Sequence, residues 1–164
     1  ADTIGQLRVA ASWSYPADQP WGSHWDTDPL WSDSEMTIEH ADATYTRQEK
    51  IKLIASHPLA HKHLRVCWEN LARTGNCCRC AKCVRTMLSF HVCGTLEKFS
   101  CFPEQNNLAA RLDAIPYLSE SLHGPGYVQL AEIEDPELHA AMERLLKRKP
   151  AKGIRRRIKK WFGR

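Results

Sequence analysis

Apolar and polar positions divide the chain into short strand-like runs in its first third and helix-period segments further on. Leu7 to Trp13 reads as a strand, kept compact by Ala10 and Ala11 and expected to be buried. Ser14 to Ser34 carries Pro, Asp, Ser and three tryptophans, a composition that argues for a long loop. Such a loop lines a pocket or is pinned to the core by its aromatic residues. Met36 to His40 suggests a second strand. Thr46 to Ala55 suggests a helix with Ile51, Leu53 and Ile54 on one side, capped by Asp42 or Thr44 and ended by His57-Pro58.

Leu64 to Trp68 reads as a third short strand. Cys80 to Val92 has the period of an amphipathic helix, with Val84, Met87, Leu88 and His91 inward and Gly94 as its C-terminal stop. After Pro103 the pattern is helical: Gln105 to Ala114, then a break at Gly124-Pro125-Gly126, then Pro136 to Lys147 with Leu138, Ala141, Met142 and Leu145 on one face. In the tail, Pro150 to Arg164, Ile154, Ile158, Trp161 and Phe162 fall on one helical face among basic residues. That pattern fits an anionic membrane or nucleic acid, or a solvated terminus.

Charge changes the picture in one respect. The net charge of +4 comes from 23 basic and 19 acidic side chains, but residues 144–164 hold 11 of the bases and no acid. The rest of the chain is therefore acidic, and the sequence-wide balance says little about its partners. No apolar run approaches the roughly 20 residues that span a bilayer.

Cysteine carries the clearest chemistry. Cys67 is followed after nine residues by Cys77, Cys80 and Cys83 in a C-x2-C-x2-C run. Thiolates two residues apart grip a tetrahedral ion from one tight turn, and zinc favours four soft thiolates. The run places three ligands at a helix start, and Cys67 closes the site from a strand end. A closed four-thiolate site is structural rather than catalytic. An iron–sulfur cluster uses a similar run, but its usual pattern adds Pro after the last Cys, where this chain has Val84. Seven cysteines and no leader-like start argue against a disulfide framework and for a cytoplasmic location. Cys78 lies inside the loop as a competing ligand or, beside Arg79, as a reactive thiol. Cys93 and Cys101 read as ordinary half-buried thiols. His61 and His63 are expected to face solvent rather than the metal.

The cysteine run and the helix entered at Lys82-Cys83-Val84-Arg85 resemble the zinc-binding end of the 7-cyano-7-deazaguanine synthase family, within the PP-loop (N-type ATP pyrophosphatase, adenine nucleotide alpha hydrolase-like) superfamily. Trp21-Gly-Ser-His24, Asp28-Pro-Leu-Trp31-Ser, Arg47-x-Glu49-Lys50, Leu64-Arg-Val-Cys67-Trp and Asn76-Cys-x-Arg-Cys-x-Lys-Cys-x-Arg-Thr86 are similar to bacterial PP-loop-like proteins, which carry Gly at the position of Cys78. The resemblance covers about Leu7 to Pro103. It implies an α/β fold, the C-terminal part of a PP-loop-like α/β sandwich with a four-cysteine zinc knot, over 1–103; beyond it the residue pattern gives a helical C-terminal extension over 104–149 and the basic tail over 150–164.

The same resemblance implies an ATP-dependent enzyme that forms an adenylate and passes it to a nitrogen nucleophile. The superfamily's Ser-Gly-Gly-x-Asp-Ser loop does not occur in these 164 residues. ATP with magnesium is accordingly expected only in an intact protein whose nucleotide half lies elsewhere, with this chain inactive by itself. A start at Ala1 rather than Met fits that expectation. Ser23, His24 and Asp28 are then candidates for contact with a small-molecule substrate, and Arg47 and Lys50 for anion binding or for a solvated helix face. The other reading is a zinc-knuckle module that binds nucleic acid through the basic tail.

Overall fold

The computed structural model describes residues 4–12, 14–15, 22–67, 69, 75–119 and 129–149. The expected break at Gly124-Pro125-Gly126 and the basic tail lie outside the described residues. The chain is mixed α/β and divides into two compact units, Ala1–Leu53 and Ile54–Arg164.

The first unit holds β1 (Gln6–Ala10) and β2 (Thr37–Ala41), paired in parallel with Gln6 opposite Thr37 and Ala10 opposite Ala41. The pairing is prolonged by Ala11 N–H to Ala41 O and Tyr15 N–H to Ala43 O, both 2.8 Å. β1 is shorter than its apolar run suggests, and it is not buried: Leu7 is 45% exposed. A two-stranded sheet covers neither of its own faces, and among the described residues the cover it has leaves Leu7 open to solvent. Between the strands, Asp28–Trp31 forms a 3-10 turn opened by Pro29.

α1 (Arg47–Ile54) begins at Thr46 rather than at Asp42 or Thr44. Thr46 Oγ1 accepts from Glu49 N–H at 3.3 Å, and Glu49 Oε2 accepts from Thr46 N–H at 2.7 Å. This reciprocal pair satisfies two orphan donors of the first turn, and the signal is the Thr-x-x-Glu spacing. Of the expected apolar face, Ile51 is buried while Leu53 is 65% exposed.

In the second unit, Pro58 begins a helix as well as ending one. α2 (Pro58–His63) has Pro58 in its first turn after an extended His57, where proline's fixed φ and missing N–H cost nothing. The expected strand at Leu64 to Trp68 is not formed: residues 64–67 have no regular structure, and residue 68 lies outside the described set. α3 (Ala81–Val92) matches its expected span and ends at Gly94, whose φ of 64° suits glycine. Gly94 N–H bonds His91 O at 2.8 Å and Thr95 N–H bonds Phe90 O at 2.9 Å, which closes the last turn.

Cys83 through Phe90 are all buried, so α3 is enclosed on almost every side. His91 is exposed instead of inward, and Phe90 takes the inner place, stacked on Phe99 with ring centroids 3.7 Å apart. The buried hydroxyls in this helix are satisfied: Thr86 Oγ1 donates to Lys82 O at 2.8 Å and Ser89 Oγ to Arg85 O at 3.0 Å. Gln129 Nε2 donates to Arg85 O and Ser89 Oγ, both at 2.8 Å.

α4 (Leu108–Ala114) is shorter than its pattern, starting after Asn107 in the left-handed region. α5 (Pro136–Lys147) has the expected bounds and buries Leu138, Ala141, Met142 and Leu145 as its spacing requires. Its cap, Asp135, accepts from the N–H groups of Glu137 and Leu138. Among the described residues no helix is long and apolar enough to cross a membrane.

Candidate metal centre

Local geometry brings the cysteine run together. Cys80 is the N-cap of α3, so Cys80 and Cys83 stand on the first turn of one helix. The chain must reverse just before it, between Cys77 and Cys80. Cys78 does this with a φ of 55°, a conformation that favours glycine. Cys80 N–H points back at Cys77 Sγ at 3.3 Å. Cys67 arrives from the irregular stretch after α2.

The four sulfurs of Cys67, Cys77, Cys80 and Cys83 all lie within 4.8 Å of one another. Two opposite pairs, Cys67–Cys80 and Cys77–Cys83, are both 3.9 Å apart. Four sulfurs about 2.3 Å from a shared centre sit roughly 3.8 Å apart along the edges of a tetrahedron. The cluster therefore has the size and donor set of a four-thiolate metal site.

Its environment fits that chemistry. Cys67, Cys80 and Cys83 are buried and Cys77 half-buried. Burial pushes the Cys80 and Cys83 thiols above the ordinary cysteine value; Cys77 adds to this at both, while hydrogen bonds from Cys83 partly offset it at Cys80. Desolvated thiols such as Cys80 and Cys83 resist ionisation unless a cation compensates them, and a bound divalent ion does so. Among the described residues no histidine joins the cluster. His63 is exposed as expected, but His61 is half-buried: its Nε2 donates to Ala55 O at 2.8 Å, and its ring meets Phe99 edge-on at 4.7 Å.

All seven cysteines are free of disulfides. Cys78 is not a fourth-ligand rival: it is fully buried and its thiol faces Asn76 O at 3.6 Å. Burial also raises its pKa, which outweighs the nearby Arg111 cation and suits a structural or spare thiol rather than a reactive one. Arg79 is drawn off to Glu104 at 3.2 Å. Cys101 is half-buried, raised by burial, and donates to Ala60 O at 3.7 Å.

A residue that the sequence marks only as the first position of the Asn76-Cys-x-Arg-Cys motif organises the approach of Cys67. Asn76 is 6% exposed. Its Oδ1 accepts from Val66 N–H at 2.9 Å and Cys67 N–H at 3.2 Å. Its Nδ2 donates to Leu64 O at 2.8 Å and Cys101 O at 3.0 Å.

Ser23, His24 and Asp28 do come together in the first unit. Asp28 is 5% exposed and accepts from Ser23 Oγ at 2.8 Å, from His24 N–H at 3.0 Å and from His40 Nδ1 at 2.6 Å. His40, which periodicity offers no reason to single out, is the partner that sequence reading missed. The hydrogen bond from His40, then those from Ser23 and His24, hold the Asp28 carboxyl below its ordinary range against the opposing effect of burial.

These bonds all end on Asp28 and tie the 3-10 turn to β2, while the His24 ring stacks on exposed Trp25 at 5.3 Å. Ser23 and His40 both donate to Asp28, so the three are not ordered as a nucleophile activated by an imidazole. Lys50 Nζ donates to Ala11 O at 2.9 Å, which ties α1 to the end of β1. Arg47 is exposed as a residue, although desolvation of its guanidinium lowers its pKa from the ordinary arginine value.

A carboxyl depressed in the fold adds stability above its unfolded pKa, here the ordinary 3.8, and that stability disappears as pH falls through the folded value. An acid titration followed by the NMR signals of residues 22–41 is therefore expected to loosen the turn only below about pH 4. Asp28→Asn is expected to weaken it at neutral pH, with the gap to wild type closing in acid. A gap that does not change with pH would remove Asp28 ionisation from the account.

Fold and site together define a mixed α/β chain with a four-cysteine cluster able to hold a metal ion. No protein-family model matches the chain, and comparison with curated proteins and with solved structures finds no match.

Proposed function

We propose that this chain is the zinc-binding part of an ATP-dependent, adenylate-forming PP-loop-like enzyme, with zinc in a structural role at Cys67, Cys77, Cys80 and Cys83. The observation that carries the reading is the convergence of four sulfurs within 4.8 Å. Borderline-soft zinc suits four thiolates, and full protein coordination leaves no position for substrate. The metal ties the irregular stretch before Cys67 to the first turn of α3, a junction that hydrogen bonds from Asn76 also hold.

The first unit supports the larger-enzyme half of the reading. Parallel sheets are normally covered on both faces. Here the sheet has two strands, and eight of the nine exposed large apolar side chains among the described residues, Leu7, Leu30, Trp31 and Tyr45 among them, fall in residues 4–53. That exposure suits a piece of a wider α/β sandwich. In the intact enzyme the turn held by Asp28 is where substrate contact by Ser23 and His24 is placed, and Arg47 is the anion binder. Lys50, engaged with Ala11, holds the strand end.

Charge favours a second reading to one degree. Residues 1–53 hold nine acids against four bases and residues 120–143 six acids and no base, whereas residues 54–119 hold eight bases and four acids. Exposed Lys62, Arg65, Arg79 and Lys82 flank the cysteines within five residues of a sulfur ligand. A zinc module with this surface binds nucleic acid with an affinity that collapses between low and moderate salt.

The deciding experiment is elemental mass spectrometry on the purified chain, with ATP and oligonucleotide binding measured on the same sample. The expected result is one zinc per chain, no ATP binding and no salt-sensitive nucleic-acid binding. A chain without metal would overturn the assignment of the cysteines. Zinc together with tight, salt-sensitive oligonucleotide binding would replace the enzyme reading with the nucleic-acid one.

A further inference from the structure

Three of the four sulfur ligands are placed by local structure: Cys77, Cys80 and Cys83 share one turn and the helix start it leads into. Cys67 is different. It lies ahead of Cys77 with nine residues between them, in the stretch 64–67, which forms neither helix nor strand. Nothing in its own backbone geometry fixes its sulfur at 3.9 Å from Cys80. We infer that Asn76 is the positioning residue that makes Cys67 a metal ligand, so that metal meets a four-sulfur cradle assembled in advance. The inference rests on the metal-binding reading of the cluster.

The chemistry of the side chain supports this role. A carboxamide has two acceptor lone pairs and two N–H donors. Asn76 uses all four at once: Oδ1 on the N–H groups of Val66 and Cys67, Nδ2 on the carbonyls of Leu64 and Cys101. The contacts run from 2.8 to 3.2 Å. Because Asn76 precedes Cys77 directly, one side chain joins the isolated ligand to the three-ligand turn.

The Cys101 contact anchors the same junction to the segment that follows the 3-10 turn Leu96–Lys98. Serine lacks the reach and the second donor. Aspartate keeps both acceptors, loses both donors and adds a negative charge beside a thiolate cluster. Partners that orient a ligand in this way are typically worth about 10–100-fold in metal affinity.

Cobalt loading of the full chain tests the proposal, since thiolate-to-cobalt absorption counts the sulfurs bound. Asn76→Ala is expected to lose about a quarter of that intensity, as one of four thiolates leaves. Cys67, protected from iodoacetamide in metal-loaded wild type, should then become alkylated in the metal-loaded variant. Asn76→Asp is expected to keep the four-thiolate spectrum and to surrender metal to a chelator about 10–100-fold more readily than wild type.

An Asn76→Ala protein with the full four-thiolate band and wild-type chelator resistance overturns the proposal. If that variant does not fold, wild-type metal retention in Asn76→Asp overturns it instead. A wild-type chain with no thiolate-to-cobalt band would sink the metal-binding reading itself. A normal wild-type band with unaltered variants sinks only the role of Asn76.

Discussion

Cys80→Ser is expected to strip the metal from the chain and to melt residues 64–94 with it. Cys80 is at once the N-cap of α3, a neighbour of Cys67 at 3.9 Å and the donor of the N–H that meets Cys77 Sγ. Structural zinc contributes about 10–16 kcal/mol in small zinc peptides, and one thiolate of four represents on the order of 3 kcal/mol of that. Whole domains are stable by only about 5–15 kcal/mol. The serine hydroxyl is a poor substitute for a soft thiolate, and the remaining thiols, with Cys67 and Cys83 buried and Cys77 half-buried, lose the cation they share.

The measurement is metal stoichiometry alongside thermal unfolding of the full chain. Loss of metal with a fall in Tm of about 10 °C or more, on the order expected for such a loss, is the expected pair of results. Unchanged metal content and an unchanged Tm would show that the four sulfurs do not share an ion.

Phe90→Ala is expected to be as damaging to the fold and harmless to the site. Phe90 is fully buried, stacks on Phe99 at 3.7 Å and meets Phe102 at 6.5 Å. Truncating a buried phenylalanine costs about 3–5 kcal/mol through lost transfer energy and the cavity left behind. It lies two helical turns along α3 from Cys83, roughly 10 Å at about 1.5 Å per residue, so the metal turn is not in contact with the cavity. The purified variant should bind the same amount of metal as wild type while unfolding at markedly lower denaturant concentration. Loss of metal in a folded Phe90→Ala protein would mean that the aromatic core, not the cysteine turn, holds the cluster together.

The two variants separate what is local from what is not. The metal cluster was legible because its constraints are local: a C-x2-C-x2-C run ending in a helical period leaves few ways to arrange three thiols. α3 and α5 were legible for the same kind of reason, since a buried face at helical spacing and an Asp or Gly at the end restate the helix in residue types. The capping box of α1 was equally present, in Thr46 and Glu49, but Asp42 and Thr44 offer the same cap chemistry a few residues earlier.

Elsewhere the pattern misled for identifiable reasons. Pro58 signals the end of one helix and the start of another with equal force, because the missing N–H is tolerated only in a first turn. The apolar residues of Leu64 to Val66 look like a strand, but their backbone groups bond to the Asn76 side chain, and a side-chain partner leaves no periodic trace. Leu7 alternates like a buried strand residue and is exposed, because burial depends on a layer that the sequence of the strand does not encode.

By itself, the sequence determined the four cysteines able to hold a metal ion, the helix whose first turn carries Cys80 and Cys83, and the amphipathic face of α5, all from spacing along the chain. Only the tertiary structure decided that Asn76 carries Cys67 to the cluster, that His40 completes the bonds to Asp28, that Phe90 rather than His91 enters the core, and that Cys78 is shut away. The first three join residues by hydrogen bonds or packing across 9 to 25 positions, and the carbonyl of buried Cys78 accepts from Arg111, 33 positions away. At that range the partner is selected by three-dimensional proximity, and the residue types along the chain hold no period from which to read it.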